Sequence, residues 1–156
     1  MTNKPTKYYS SNQEKYIANV LGWEVISGSG AKDCHPGDIQ SEDYLGECKT
    51  HMSETNSINI KHSWWIKIKG EALVRHKTPA LFVDNGNLTN IWVITYYSKA
   101  MLKDTAGFPF NIRTNVIFKA DALDKHAIYF INEWQAYSHC IVLMSLEKFN
   151  EIVSKR

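Results

Sequence analysis

The stretch Pro36-Gly37-Asp38-Ile39-Gln40-Ser41-Glu42-Asp43-Tyr44-Leu45-Gly46-Glu47-Cys48-Lys49-Thr50 decides how this chain is expected to fold. Pro36-Gly37 breaks the segment before it and introduces a short strand over Asp38-Ile39-Gln40. The polar triplet Ser41-Glu42-Asp43 supplies a turn, and Tyr44 to Thr50 reads as the next strand, so the stretch predicts a hairpin. Along a strand, residues i and i+2 project to one face. Glu47 and Lys49 therefore point the same way, together with Leu45, while Cys48 points to the other side.

This spacing has chemical content. Asp38, from the neighbouring hairpin strand, adds a second carboxylate to Glu47 and Lys49, giving a compact set suited to a hard divalent cation. Asp38 and Glu47 would offer oxygen ligands, the Cys48 carbonyl another, and water and a phosphate oxygen would complete an octahedron around Mg²⁺, for which Mn²⁺ is expected to substitute. Lys49 would position or deprotonate the attacking water, or stabilise the charge that develops on the phosphorane. Such a set is suited to phosphodiester hydrolysis. Glu-x-Lys alone is common by chance and gains meaning only from this context. The alternative is an edge strand carrying an ordinary Glu and Lys, as edges often do.

Upstream, Ser11 followed by Glu14 reads as a capping box, with Ile17, Ala18, Val20 and Leu21 at helical spacing and Gly22 as the stop, predicting a helix over 11–21. Glu14 is explained by that cap, yet it shares a face with Ile17, Ala18 and Leu21, where a carboxylate normally has a further role. Residues 23–27 read as a strand and Gly28-Ser29-Gly30-Ala31 as a turn. Ser27 and Ser29 are ordinary turn residues, or small residues that let backbone approach DNA, in which case Lys32 would touch phosphate. Downstream, a polar stretch over 51–59 leads to a helix over 63–76 in which Trp65, Ile68 and Ala72 share a face, with Pro79 as its stop.

The remaining signals are mostly strands. Ala80 to Val83 and Ile91 to Thr95 are buried-strand patterns joined through Asn85-Gly86 and expected to pair. Residues 116–118, 128–130 and 140–144 are further strand candidates. A short helix and a loop near Gly107 to Pro109 are expected within 98–111, and Ser145 should cap a final helix bearing Leu146, Phe149, Ile152 and Val153. Alternating helices and strands predict an α/β sandwich with a mixed sheet.

Composition bounds the function class. The 156 residues suit one domain, 1–156, and hydrophobic and charged fractions of 44% and 22% are globular values. No apolar run could span a bilayer, Met1 to Ser10 lacks the apolar core of a signal peptide, and Cys34, Cys48 and Cys140 lack a disulfide pattern, so a cytoplasmic location is expected. A net charge of +2 does not by itself announce a nucleic-acid binder. Its distribution is more telling, because Lys61, Lys67, Lys69, Arg75 and Lys77 crowd around a single acid, Glu71. Lys67, Lys69 and Arg75 are candidate phosphate contacts, or else a solvated face with Lys67 paired to Glu71. Trp64 could stack bases or anchor a helix start, while Trp65, on the apolar stripe, reads as core. Cys34, His35, Cys48 and His51 raise zinc as a rival, although only Cys48-x-x-His51 has ligand spacing.

An Asp, a hairpin and then Glu-x-Lys on the adjoining strand resemble the signature of the PD-(D/E)xK nucleases, and the order of elements over about the first half of the chain is similar to theirs. Within that group the layout resembles the archaeal-type Holliday junction resolvases, in which a Ser-bearing glycine loop precedes the catalytic Asp and an early helical Glu assists the metal. Glu14 and Ser29, or Ser27, are the matching positions. Gly37 stands between Pro36 and Asp38, and the part from about residue 103 onward has no counterpart. The resemblance implies a restriction-endonuclease-like α/β/α sandwich, a Mg²⁺-dependent DNA endonuclease acting on branched DNA, and a homodimer with paired sites. Nucleases of the same fold with restriction, repair or phage DNA-processing duties, or a binding domain without catalysis, are the alternatives. Phe108, Pro109 and Phe110 and the 128–134 segment are candidate interface material, or core.

Overall fold

The computed structural model describes residues 6–26, 37–135 and 139–155. Among these residues three α-helices, α1 (Thr6–Leu21), α2 (His62–Val74) and α3 (Leu146–Ser154), surround a mixed sheet of eight strands. In chain order the strands are β1 (Glu24–Val25), β2 (Ile39–Gln40), β3 (Tyr44–Thr50), β4 (Ser57–Ile60), β5 (Thr78–Asp84), β6 (Trp92–Tyr96), β7 (Thr105–Gly107), β8 (Val116–Lys119), β9 (Ile128–Phe130) and β10 (Ile141–Ser145). The large sheet runs β1-β2-β3-β5-β6-β10-β9-β7, and β4 pairs with β8 in a separate ribbon. β3–β5 and β7–β9 are parallel, and the other pairings are antiparallel. The expected α/β sandwich with a mixed central sheet is what forms.

Strand alternation builds the two layers. Leu45, Leu81 and Val83 face one side, where Trp65, Ile68 and Ala72 of α2 and the β4–β8 ribbon cover them. Cys48, Ala80 and Phe82 face the other, under Ile17 and Ala18 of α1 and Leu146, Phe149 and Ile152 of α3. Each large apolar side chain sealed in this way stabilises the fold by about 1.5–3 kcal/mol relative to exposure. Ser145 caps α3 as expected, accepting the Lys148 N–H at 3.1 Å. No helix among the described residues is long and apolar enough to cross a membrane.

Three expectations need correction. The first helix begins at Thr6, so Ser11 and Glu14 lie in its interior, and no capping box forms there. α2 ends at Val74, two residues before the expected 76, and Pro79 is not what stops it: His76 takes a left-handed φ of 56°, and the N–H groups of His76 and Lys77 close back on Leu73 and Ala72. Pro79 instead sits near the start of β5, ahead of the pairing with β6 that begins at Ala80, where its missing N–H breaks no ladder to that strand. The polar stretch over 51–59 hides β4, whose Ile58 and Ile60 alternate inward. The 128–134 segment, offered as interface or core, is core, with Ile128, Tyr129, Ile131 and Trp134 all buried.

Candidate functional site

β2 is short, and its pairing with β3 stops at Ile39 opposite Gly46. Beyond that point the Asp38 side chain takes over the edge of β3: its Oδ2 accepts the Cys48 N–H at 2.8 Å, while the Asp38 N–H donates to the Gly46 carbonyl at 2.8 Å. A residue's N–H and C=O point to the same edge of a strand, so the Cys48 carbonyl faces the side that Asp38 occupies. Gly37 makes this bend possible. Its φ is 72°, a Cβ there would lie 2.7 Å from Leu45 Cδ1, and its N–H donates to Glu71 Oε2 of α2 at 3.1 Å.

Glu47, on the face expected for it, is only 4% exposed. A buried carboxylate is costly unless paired, and here two ammonium groups converge on the same oxygen, Oε1. Lys49 Nζ lies at 2.9 Å and Lys67 Nζ at 3.3 Å. Lys67 also reaches Glu71 at 3.4 Å. Burial alone would lower the pKa of Lys67, but Glu47 and Glu71 outweigh it and raise the value.

Glu14, one turn before Ile17 and Ala18 on the inward face of α1, joins this group. Its pKa is pushed up to about 7 by burial and then by Asp38 and Glu47, against the opposing pull of Lys49 and Lys15. Three carboxylates from three separate elements thus share one neighbourhood with the Lys49 ammonium. Burial also lifts the Cys48 thiol, and the carboxylates of Asp38, Glu14, Glu47 and Asp84 lift it further. Its side chain belongs to the core beneath α1 and α3, opposite the Glu47 face, and not to a zinc pair with His51.

Two participants were missed in the sequence. Gln13 is fully buried, donates its Nε2 to the Lys49 carbonyl at 3.0 Å and lies 3.3 Å from the Thr50 hydroxyl. It pins the end of β3 to α1. Asp84, opposite Thr50 in the parallel register, is raised in pKa by burial and lowered in part by the Gly86 N–H and Thr50. Their signals were a polar residue four before Ile17 on the apolar face and an acid closing a buried strand.

The remaining candidates divide. Lys67 is held by Glu47 and Glu71 rather than standing on a free face, and Lys69, two residues on, points elsewhere around the helix. Arg75 follows the far end of α2, about 12 Å along the axis from Lys67 at a rise of about 1.5 Å per residue, and is not brought to the acids. Ser27, Ser29, Lys32, Cys34, His35 and Pro36 lie outside the described residues.

For a divalent cation the donor types fit: Asp38, Glu47 and Glu14 are hard oxygen donors, and Glu14, raised first by burial and then by Asp38 and Glu47, is a carboxyl that a bound cation would favour in its ionised form. No three His, Cys, Asp or Glu side chains among the described residues already stand at ligand spacing. With Glu47 Oε1 engaged by two lysines, a cation would exchange for at least one of these contacts. No family model matches the chain, and no curated protein sequence matches it significantly.

Proposed function

We propose that this chain is a divalent-metal-dependent DNA endonuclease that hydrolyses phosphodiester bonds, with branched DNA of the four-way-junction type as its substrate. The observation that carries the proposal is the meeting of Glu14, Asp38 and Glu47 beside Lys49, where burial and then the neighbouring acids push the Glu14 carboxyl up to about 7. A strongly perturbed acid among like charges is what a functional site produces.

Asp38, Glu47 and Glu14, with the Cys48 carbonyl, would hold Mg²⁺ or Mn²⁺, which when bound supplies Lewis-acid polarisation of the phosphate and an acidified water. The chain's own groups do the rest. Asp38 fixes the edge of β3 through the Cys48 N–H, and Gln13 fixes the same strand end from α1. Lys49 is tethered to Glu47 yet a third exposed, so its ammonium can turn toward a phosphate oxygen and stabilise charge as the new bond forms. Lys67 neutralises part of the acid cluster and keeps Glu47 in place.

Resolving a junction requires two cuts related by approximate two-fold symmetry, for which a homodimer is the simplest arrangement. Exposed Phe110, beside Phe108 on the same loop, remains a candidate for the contact. Incubating the protein with labelled four-way junction, linear duplex and single strand, each with Mg²⁺ and with EDTA, tests the reading. Mg²⁺-dependent cleavage that favours the junction is expected. Absence of metal-dependent cleavage of all three substrates would overturn the nuclease reading, and cutting of duplex alone would remove the junction assignment.

A further inference from the structure

Trp64 differs from the other tryptophans. Trp65, Trp92 and Trp134 are buried, and Trp23 packs among Tyr44, Phe82 and Phe149. Trp64 is only half-buried, one side leaning on the core beneath α2, and its other ring neighbours are polar. The His51 ring centroid lies 6.4 Å away at a tilt of 56°, and Lys61 Nζ sits 5.4 Å from the Trp64 ring centroid. An indole flanked by an imidazole and an ammonium at the surface is not what a core anchor requires.

Its place matters as much as its neighbours. Trp64 and Lys67 are three residues apart on α2 and so share a face, and Lys67 reaches Glu47 at 3.3 Å. His51 follows Lys49 by two residues, just past the end of β3. The aromatic pair therefore borders the acid cluster, with the exposed Lys61 over the Trp64 ring.

We infer that Trp64, with His51 and Lys61, is a stacking site for an unpaired nucleobase adjoining the phosphate that Lys49 would meet beside the acid cluster. The assignment of that phosphate rests on the nuclease reading. A base has the flat π-face that an indole takes, and stacking of this kind tolerates any sequence. Lys61 is exposed and only rests on the ring, so an arriving base can take its place while the ammonium moves to the backbone phosphate. The site selects for DNA in which a nucleotide can leave the helix, such as a branch point or a flap. In a continuous duplex every base is already stacked and the platform has nothing to receive.

The test is equilibrium binding in EDTA, read by quenching of tryptophan fluorescence and by anisotropy, with a short oligothymidylate and a fully paired duplex as probes. Trp64→Ala should weaken oligothymidylate binding about tenfold and leave duplex binding nearly unchanged, whereas Trp64→Phe should retain most of it. Lys61→Ala should lower the slope of log affinity against log salt for the oligothymidylate by about one. If Trp64→Ala does not fold, the His51→Ala, Lys61→Ala double variant carries the same expectation. Unchanged oligothymidylate affinity, or an equal loss on duplex and single strand, would overturn the inference. Because no cleavage is involved, a protein that binds oligothymidylate through Trp64 but cuts nothing with Mg²⁺ would sink the nuclease reading and leave the stacking site standing.

Discussion

Glu47 and Lys148 are both ionisable side chains sunk into the fold, and each is met by two partners of opposite charge. Around Lys148 the charges settle one another. Asp104 lies at 2.6 Å and Glu151 at 3.5 Å, and the shifts all favour the charged forms. The hydrogen bond from Lys148 lowers Asp104, the bond to Asp104 raises Lys148, and Lys155 followed by Lys148 lowers Glu151. Around Glu47 they do not. Lys49 and Lys67 share one oxygen, and Glu14 is still driven up to about 7 by burial and by the neighbouring acids. The first arrangement ties α3 to the 3-10 turn at Lys99–Asp104. The second keeps one carboxyl, Glu14, on the protonated side of its ordinary range through burial and through Asp38 and Glu47, although Lys49 and Lys15 pull the other way.

Removing a lysine from each cluster sharpens the contrast most. Lys49→Ala should lower DNA cleavage by about a hundredfold or more through loss of the charge-stabilising group, with little change in melting temperature because Lys67 still meets Glu47. Lys148→Ala should do the reverse, costing about 1–2 kcal/mol of stability in denaturant titrations while single-turnover cleavage stays near wild type. Comparable losses of cleavage in both variants would erase the distinction.

A smaller effect separates the clusters by pH. The folded-state pKa of Glu14, about 7, lies above its ordinary 4.5, so the fold favours the protonated carboxyl. That contribution is whole below about pH 4.5 and is lost as pH rises through about 7. Glu14→Gln should therefore be more stable than wild type at about pH 8 in EDTA, by no more than about 1 kcal/mol once the exposure of the group is allowed for, and equal to it at about pH 4. Mg²⁺ should close the gap by taking the place of the proton. A Glu14→Gln melting curve identical to wild type at both pH values would show that neither burial nor the neighbouring acids raises the Glu14 carboxyl in the fold.

The smallest effect is chemical. With its thiol buried and its pKa raised, Cys48 should resist alkylation at neutral pH in the native protein, while the partly exposed Cys140 reacts, as mapped by peptide mass. Rapid native labelling of Cys48 would mean that the core beneath α1 opens.

How far these residues could be read in advance depended on the range of the signal. The bounds of β3 and the stripe Trp65, Ile68 and Ala72 follow from local periodicity, and local periodicity survived folding. The pairing of Glu47 with Lys49 was legible for the same reason, as an i, i+2 relation on one strand. Lys67 to Glu71 was legible as i, i+4, but Lys67 to Glu47 needs the packing of α2 on β3. Gln13 and Asp84 were invisible because each matters through a register between elements distant in sequence. Where a local rule misled, at Ser11-Glu14 and Pro79, a neighbouring segment supplied the helix or strand that overrode it.

The central claim is that the acids gathered at Asp38 and Glu47 are there for a cation and a phosphodiester, and Glu47→Gln tests it most directly. The substitution keeps the size of the side chain and its bond to Lys49 while removing the charge. Single-turnover cleavage of a four-way junction in Mg²⁺ should fall by about a hundredfold or more, with junction affinity in EDTA and the melting temperature close to wild type. Cleavage at the wild-type rate by a folded Glu47→Gln protein would contradict the account.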